Sequence, residues 1–251
     1  MNAMDLADVT ADPIQFVGMS FYFAPPTVER AAELGLHRYE FYGLGRGGVL
    51  GDVDSTAVAQ AFTFFHPAAV ERFWGACEKA DPVETAEQYL QAAYDFADRT
   101  FGEIPVTVLA DYAAAAHKVA RGVEPGHHRL VDGYRQYPVP ADPVHAAYLG
   151  AIMMRELRGC VHIDAVHEAG VSVEEACFLS DPENFKRHGY SDDDVPQVSP
   201  DTEARMARAE VATSAAMADY FAVLSDDERQ QLCDGAFAMF DAIKSPVAVT
   251  R

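Results

Sequence analysis

The sequence predicts an all-α protein. Three observations carry that expectation. Apolar residues recur at three- and four-residue spacing along nearly the whole chain, the breaks between these runs hold helix-capping residues, and no run alternates with a period of two or closes a hairpin. The first run, 27–34, follows Pro25-Pro26, begins at Thr27 and stops at Gly35, since a threonine before an early glutamate starts helices and a glycine ends them. Ser55 is placed to cap a helix over 55–65. Pro67 suits the first turn of one over 67–79, Pro82 opens one over 82–100, and Pro105 opens an alanine-rich one over 105–122.

From Gly122 to Pro140 the period fails at Pro125, Gly126, Gly133, Pro138 and Pro140. This marks 123–141 as a linker between an N-terminal helical domain, 1–122, and a C-terminal one, 142–251. The longest helical run, 142–170, opens the second domain and is expected to bend at Gly159. Short helices over 172–179 and 181–188, an acidic loop over 191–200 and two amphipathic helices, 201–224 and 225–243, complete it.

A chain of 251 residues, 49% hydrophobic and 23% charged, can bury a core without metal or disulfide staples. Cys77, Cys160, Cys177 and Cys233 form no C-x-x-C pair and read as thiols of a reducing compartment. The N-terminal MNAMDLADVTADP has neither a basic start nor a long apolar stretch, so no signal peptide is expected, and no run approaches 18 apolar residues. A cytoplasmic protein follows as the expectation. With 19 Lys+Arg against 39 Asp+Glu, a net charge of −20, nucleic acid and anionic membranes are disfavoured partners.

On a helical wheel the 142–170 run has two faces. One carries Leu149, Ile152, Gly159 and Ile163 with His145, Glu156 and His167; the other carries Tyr148, Ala151, Arg155, Arg158 and His162. Two guanidiniums, an imidazole and a phenol on one stripe suit a carboxylate or phosphate, with His162 able to exchange a proton near neutral pH. Equally, the arginines can pair with the chain's many carboxylates and lock the fold. Upstream, FYFAPP and YEFYGLGRGGVLG bring Tyr22, Tyr39 and Tyr42 together with Arg46 in a Gly-rich turn. Such a turn either lets backbone approach a ligand or ends a helix over an aromatic core. It is neither a Walker loop nor a dinucleotide fingerprint.

No metal site is expected. His162, Asp164 and His167 form H-x-D-x-x-H, but the two histidines lie about 140° apart on a continuous helix. His66 reads as a cap and His127-His128 as solvated loop residues. No H-E-x-x-H, G-x-S-x-G or Cys–His nucleophile pattern occurs, and no cofactor is implied.

Several stretches together resemble a family of mostly uncharacterised actinobacterial proteins that carries a helix-turn-helix name. They are YFAPP (Tyr22 to Pro26), Gly45-Arg46 with Leu50-Gly51, Phe65 and Pro67, R-E-x-R-G-x-x-H (Arg155, Glu156, Arg158, Gly159, His162), R-x-G-Y-S-D (Arg187 to Asp192) and E-x-x-T (Glu210, Thr213). The resemblance implies an N-terminal helical domain and a C-terminal winged-helix domain of the MarR type. The chain departs from that pattern after Ser191-Asp192, where DDDVPQVSPDT stands in place of a recognition helix and wing.

The sequence therefore suggests a degenerate winged-helix scaffold that binds or transforms a small, anionic molecule in a cleft between helices. Arg46, Arg155 and Arg158 would hold the anion, Tyr22, Tyr42 and Tyr148 would line the wall, and His162 with Glu156 would move protons, meeting only if the helix bends at Gly159. A helix-turn-helix transcriptional regulator is one alternative. A homodimeric or partner-binding protein using its late amphipathic helices is the other.

Overall fold

Helix-starting residues set most of the architecture. In the computed structural model, which describes residues 1–244, the chain forms fourteen α-helices and three short 3-10 turns, with no strand among the described residues. The helices are α1 (Ala3–Val9), α2 (Ala11–Met19), α3 (Pro25–Glu33), α4 (Arg38–Gly47), α5 (Ser55–Phe62), α6 (Pro67–Trp74), α7 (Pro82–Phe101), α8 (Val106–Gly122), α9 (Arg129–Arg135), α10 (Pro143–Glu168), α11 (Val173–Ser180), α12 (Pro182–Arg187), α13 (Pro200–Phe221) and α14 (Asp226–Lys244). Asp54, Asp81, Asp142, Ser172, Asp181 and Ser199 each cap a helix by accepting a hydrogen bond from a first-turn N–H, and prolines open six helices.

Four expectations are corrected. Thr27 lies inside α3, whose prolines start it two residues earlier; its hydroxyl donates instead to the Phe21 carbonyl, 2.5 Å away. The Gly-rich stretch is not a turn but the second half of α4, with His37 and Glu40 forming a capping box at its start. A β-carbon at Gly43 would enter the Phe73 ring, and one at Gly45 would enter the Tyr89 ring. These glycines weaken the helix by up to about 1 kcal/mol each relative to alanine, and they let α4 seat directly on α6 and α7. The 123–141 stretch, expected as a linker, contains α9, whose Leu130, Val131 and Tyr134 are buried in the main core. Finally, α10 runs unbroken through Gly159.

That main core draws on residues from Leu6 to Met239, on both sides of 123–141. Helix α10 passes through its middle, packed by α2, α7, α8, α9 and α13. From Ala146 to Met154 every residue of α10 is buried, so its first half has no solvated face. Helix α8 packs along one side of it and α2, an element with no clear signal in the sequence, along another. Gly18 of α2 sits against the Arg155 stem and the Ala151 carbonyl, 2.8 Å from where a β-carbon would stand, and α2 covers the Tyr148 to Arg155 stripe. Two small satellite clusters, Ala165, Val166, Val171, Ala176 and Ala209 in one and Cys177, Phe185 and Tyr190 in the other, pack α11 and α12 beside the end of α10. Between the main core and these satellites lies a cavity of about 620 Å³.

Candidate functional site

The cavity is lined by residues of α2, α4, α5, α9, α10, α11, α12 and α13 and by the turn after α5, and α10 supplies its chemistry from Arg155 to Ile163. The turn after α5 holds Thr63 at φ 32°, the single non-glycine residue with positive φ among those described. A β-branched residue there is strained, and it carries Phe64 and Phe65 into the cavity wall.

At the deep end, Arg46 grips Glu156 with two parallel hydrogen bonds, Nε to Oε1 at 2.8 Å and Nη2 to Oε2 at 2.7 Å. Arg155 Nη1 donates to the same Oε1 at 3.0 Å, and the Tyr22 hydroxyl donates to it at 3.3 Å. Arg46 Nη1 donates to the Tyr42 hydroxyl at 3.2 Å, and its guanidinium lies over the Phe62 ring. The Glu156 side chain is 1% exposed and that of Arg46 7%. Burial alone would raise the Glu156 carboxyl; the Arg46 and Arg155 guanidiniums more than reverse this and hold it at about 2. It is therefore ionised at neutral pH and acts as a clamp between two cations. Two guanidiniums against one carboxylate leave one surplus positive charge, and Arg155 Nε, buried, has no hydrogen-bond partner.

One turn further along α10 the pattern changes. Arg158 Nη2 meets Glu210 Oε2 at 3.3 Å, and His162 Nδ1 lies 3.1 Å from Thr213 Oγ1 and 3.7 Å from Glu210 Oε1. The Thr213 hydroxyl spends its one proton on the Ala209 carbonyl at 2.7 Å, so it accepts from His162 Nδ1–H. That fixes the neutral tautomer, with the lone pair on Nε2 and no protein partner for it. Burial lowers the His162 pKa, opposed by Glu210 and aided by Arg158, which keeps the ring neutral.

Of the residues singled out in the sequence, Arg46, Tyr42, Arg155, Glu156, Arg158 and His162 line this one cavity. Tyr22 stands behind Glu156 with its ring under the Arg155 guanidinium. Tyr148 does not take part: fully buried, its hydroxyl donates to the Val17 carbonyl at 3.2 Å and contacts Ser20 at 3.0 Å. Glu156 and His162 do not meet, since α10 is unbroken and each is bound to different partners.

Residues not assigned from the sequence complete the wall. Glu210 and Thr213 of α13 engage Arg158 and His162 of α10; the matching three- and four-residue spacings were a signal of two facing helices. Cys177 and His188, from α11 and the end of α12, lie 3.6 Å apart. The His188 Nδ1–H is held by the Asn184 carbonyl at 2.7 Å, and burial pushes the Cys177 thiol up to about 11, so this pair is a thiol beside a neutral imidazole.

A helix-turn-helix family matches residues 7–194, and the chain belongs to that family. No curated protein and no solved structure matches the chain. Among the described residues, no helix is long and apolar enough to cross a membrane.

Proposed function

We propose that this helix-turn-helix family member binds a small monoanion in the α10 cavity and does not bind duplex DNA. The observation that carries the reading is the Arg46–Glu156–Arg155 cluster, two guanidiniums on one carboxylate, with Arg155 held by a single bond at the wall of a cavity large enough for a metabolite. Arg158 is already paired with Glu210, and Asp12 also lines the cavity, so a second negative charge on the ligand would meet carboxylates rather than an unpaired cation. Tyr42, Phe62 and Phe65 supply an apolar wall. His162 Nε2 supplies an acceptor for a hydroxyl or amine of the ligand and is the proton-transfer group of the site. Glu156 keeps both guanidiniums in place.

If the 142–251 half descends from a MarR-like domain, a lost recognition helix and an acidic surface would account for an absence of DNA binding. Between Tyr190 and α13 the chain forms only one 3-10 turn, Asp192–Asp194, where a groove-reading helix would need several turns. Residues 161–251 carry 7 Lys+Arg against 18 Asp+Glu, and Lys186 is paired with Asp192 at 2.9 Å.

Thermal denaturation with monocarboxylates, dicarboxylates and phosphate esters tests the reading. A monocarboxylate should raise the melting temperature in proportion to the logarithm of its excess over Kd, and Arg155→Gln should abolish the shift. No shift with any anion, or an undiminished shift in Arg155→Gln, overturns it. Family membership favours a second reading, a transcriptional regulator. It requires duplex retardation in a low-salt gel shift that weakens steeply with added salt.

A further inference from the structure

We propose that His127, His128 and Asp164 form a binding site for a divalent transition-metal ion, beside the anion cavity and independent of it. The loop before α9 presents two adjacent imidazoles, and α10 brings a carboxylate to meet them. One ligand atom from each of the three lies within 4.8 Å of the others, with His127 Nε2 3.9 Å from Asp164 Oδ2. Ligands bound tetrahedrally at about 2.0–2.2 Å to one ion stand about 3.4 Å apart, somewhat closer than these atoms, so rotations of the two exposed side chains, His127 and Asp164, are needed to close the set.

The local chemistry fits a cation. Asp164 has no lysine or arginine partner and accepts no hydrogen bond, and the basic side chain nearest its carboxylate is the His127 imidazole. His128 is buried, and its ring is held by the Tyr220 hydroxyl, 3.0 Å from Nε2. An outer contact of this kind orients metal-bound imidazoles. A second cavity of about 160 Å³ adjoins the three residues, leaving room for water or a further ligand on an ion with only three protein donors. Two imidazoles and one carboxylate select Zn²⁺, Fe²⁺ or Co²⁺ over Mg²⁺ and Ca²⁺. Asp164 lies one turn beyond Cys160 on α10, and Cys160 lines both cavities. An ion here would therefore sit behind the wall of the anion site.

Co²⁺ titration of the metal-stripped full-length protein, followed by visible absorption, tests the proposal. The wild type should bind one equivalent with a visible d–d absorption more intense than that of free Co²⁺, as expected for low-coordinate nitrogen–oxygen ligation. His127→Ala and Asp164→Asn, both at exposed positions, should each weaken binding at least about 10-fold. A control, His145→Ala, removes the imidazole of another acidic–histidine cluster, Asp98, Asp142 and His145, and should leave binding unchanged. The proposal fails if the wild type shows no saturable band, if both site variants bind as tightly as wild type, or if binding is lost in His145→Ala instead. Mg²⁺ in large excess should not displace the Co²⁺; displacement also overturns it. The readout uses no anionic ligand, so it stands or falls separately from the cavity assignment.

Discussion

Two ends of one short stretch of α10 use the same residue types to different effect. Arg155 and Arg46 share Glu156, whose side chain is 1% exposed, whereas Arg158 and His162 meet Glu210, whose side chain is 49% exposed, across the α10–α13 seam. The first set is centred on short, doubled, charge-assisted bonds from Arg46 to Glu156, to which Arg155 adds a single one. The second rests on one longer bond to a half-exposed carboxylate, so it is held less firmly. What separates the two sets is the burial of the carboxylate at their centre and the number of bonds it accepts.

The largest expected effect breaks the framework. Glu156→Gln leaves two buried guanidiniums without a counter-charge and should lower stability by about 3–5 kcal/mol, read from the urea midpoint. The same group makes stability depend on acid. Its folded pKa lies below its unfolded value near 4.5, so its contribution is complete above that value and lost as pH falls towards about 2. Glu156→Gln should lose less stability than wild type over this range, the remainder coming from Glu40 and Glu228, whose carboxyls are also held low by lysine partners.

Next comes the close packing that aims Arg155. Gly18→Ala places a β-carbon on the Arg155 stem and the Ala151 carbonyl and should destabilise by about 1–3 kcal/mol, while also weakening any anion-induced melting shift. Arg155→Gln should behave oppositely. It removes the surplus cation yet leaves the Arg46–Glu156 pair intact, so stability in denaturant melts should change little although the anion response disappears.

A smaller effect lies in the histidines. Burial lowers His117, His128, His162 and His188 from their ordinary value of 6.5. Below that pH the unfolded chain takes up protons that the folded one resists, so the melting temperature should fall between pH 7 and pH 5 and stay level above 7. Smallest of all, Glu210→Gln breaks a half-exposed pair and should shift stability by less than about 1 kcal/mol.

Much of the architecture was legible because local chemistry specifies it. Asp142 caps α10 and Pro143 opens it, Gly35 at φ 68° ends the turn after α3, and both late helices fall within a residue or a few of the expected bounds. Helix α4 was not legible because its glycines oppose helix formation locally and are offset only by rings from α6 and α7. For the same reason a 123–141 stretch rich in glycine and proline concealed α9, whose stability comes from burial of Leu130, Val131 and Tyr134. The Arg/His stripe on α10 was visible by spacing, but not that α2 would cover its Tyr148 end.

The sequence by itself determined the all-α class, most helix boundaries and the concentration of functional groups on α10, because caps, prolines and apolar spacing act within a few residues. The tertiary structure alone decided that Arg46 and Arg155 share one carboxylate, that Glu156 is an ionised clamp and His162 a neutral acceptor, and that His127 and His128 face Asp164. Those outcomes depend on burial and on partners as many as 110 residues away in the chain, and a local pattern carries no information about either.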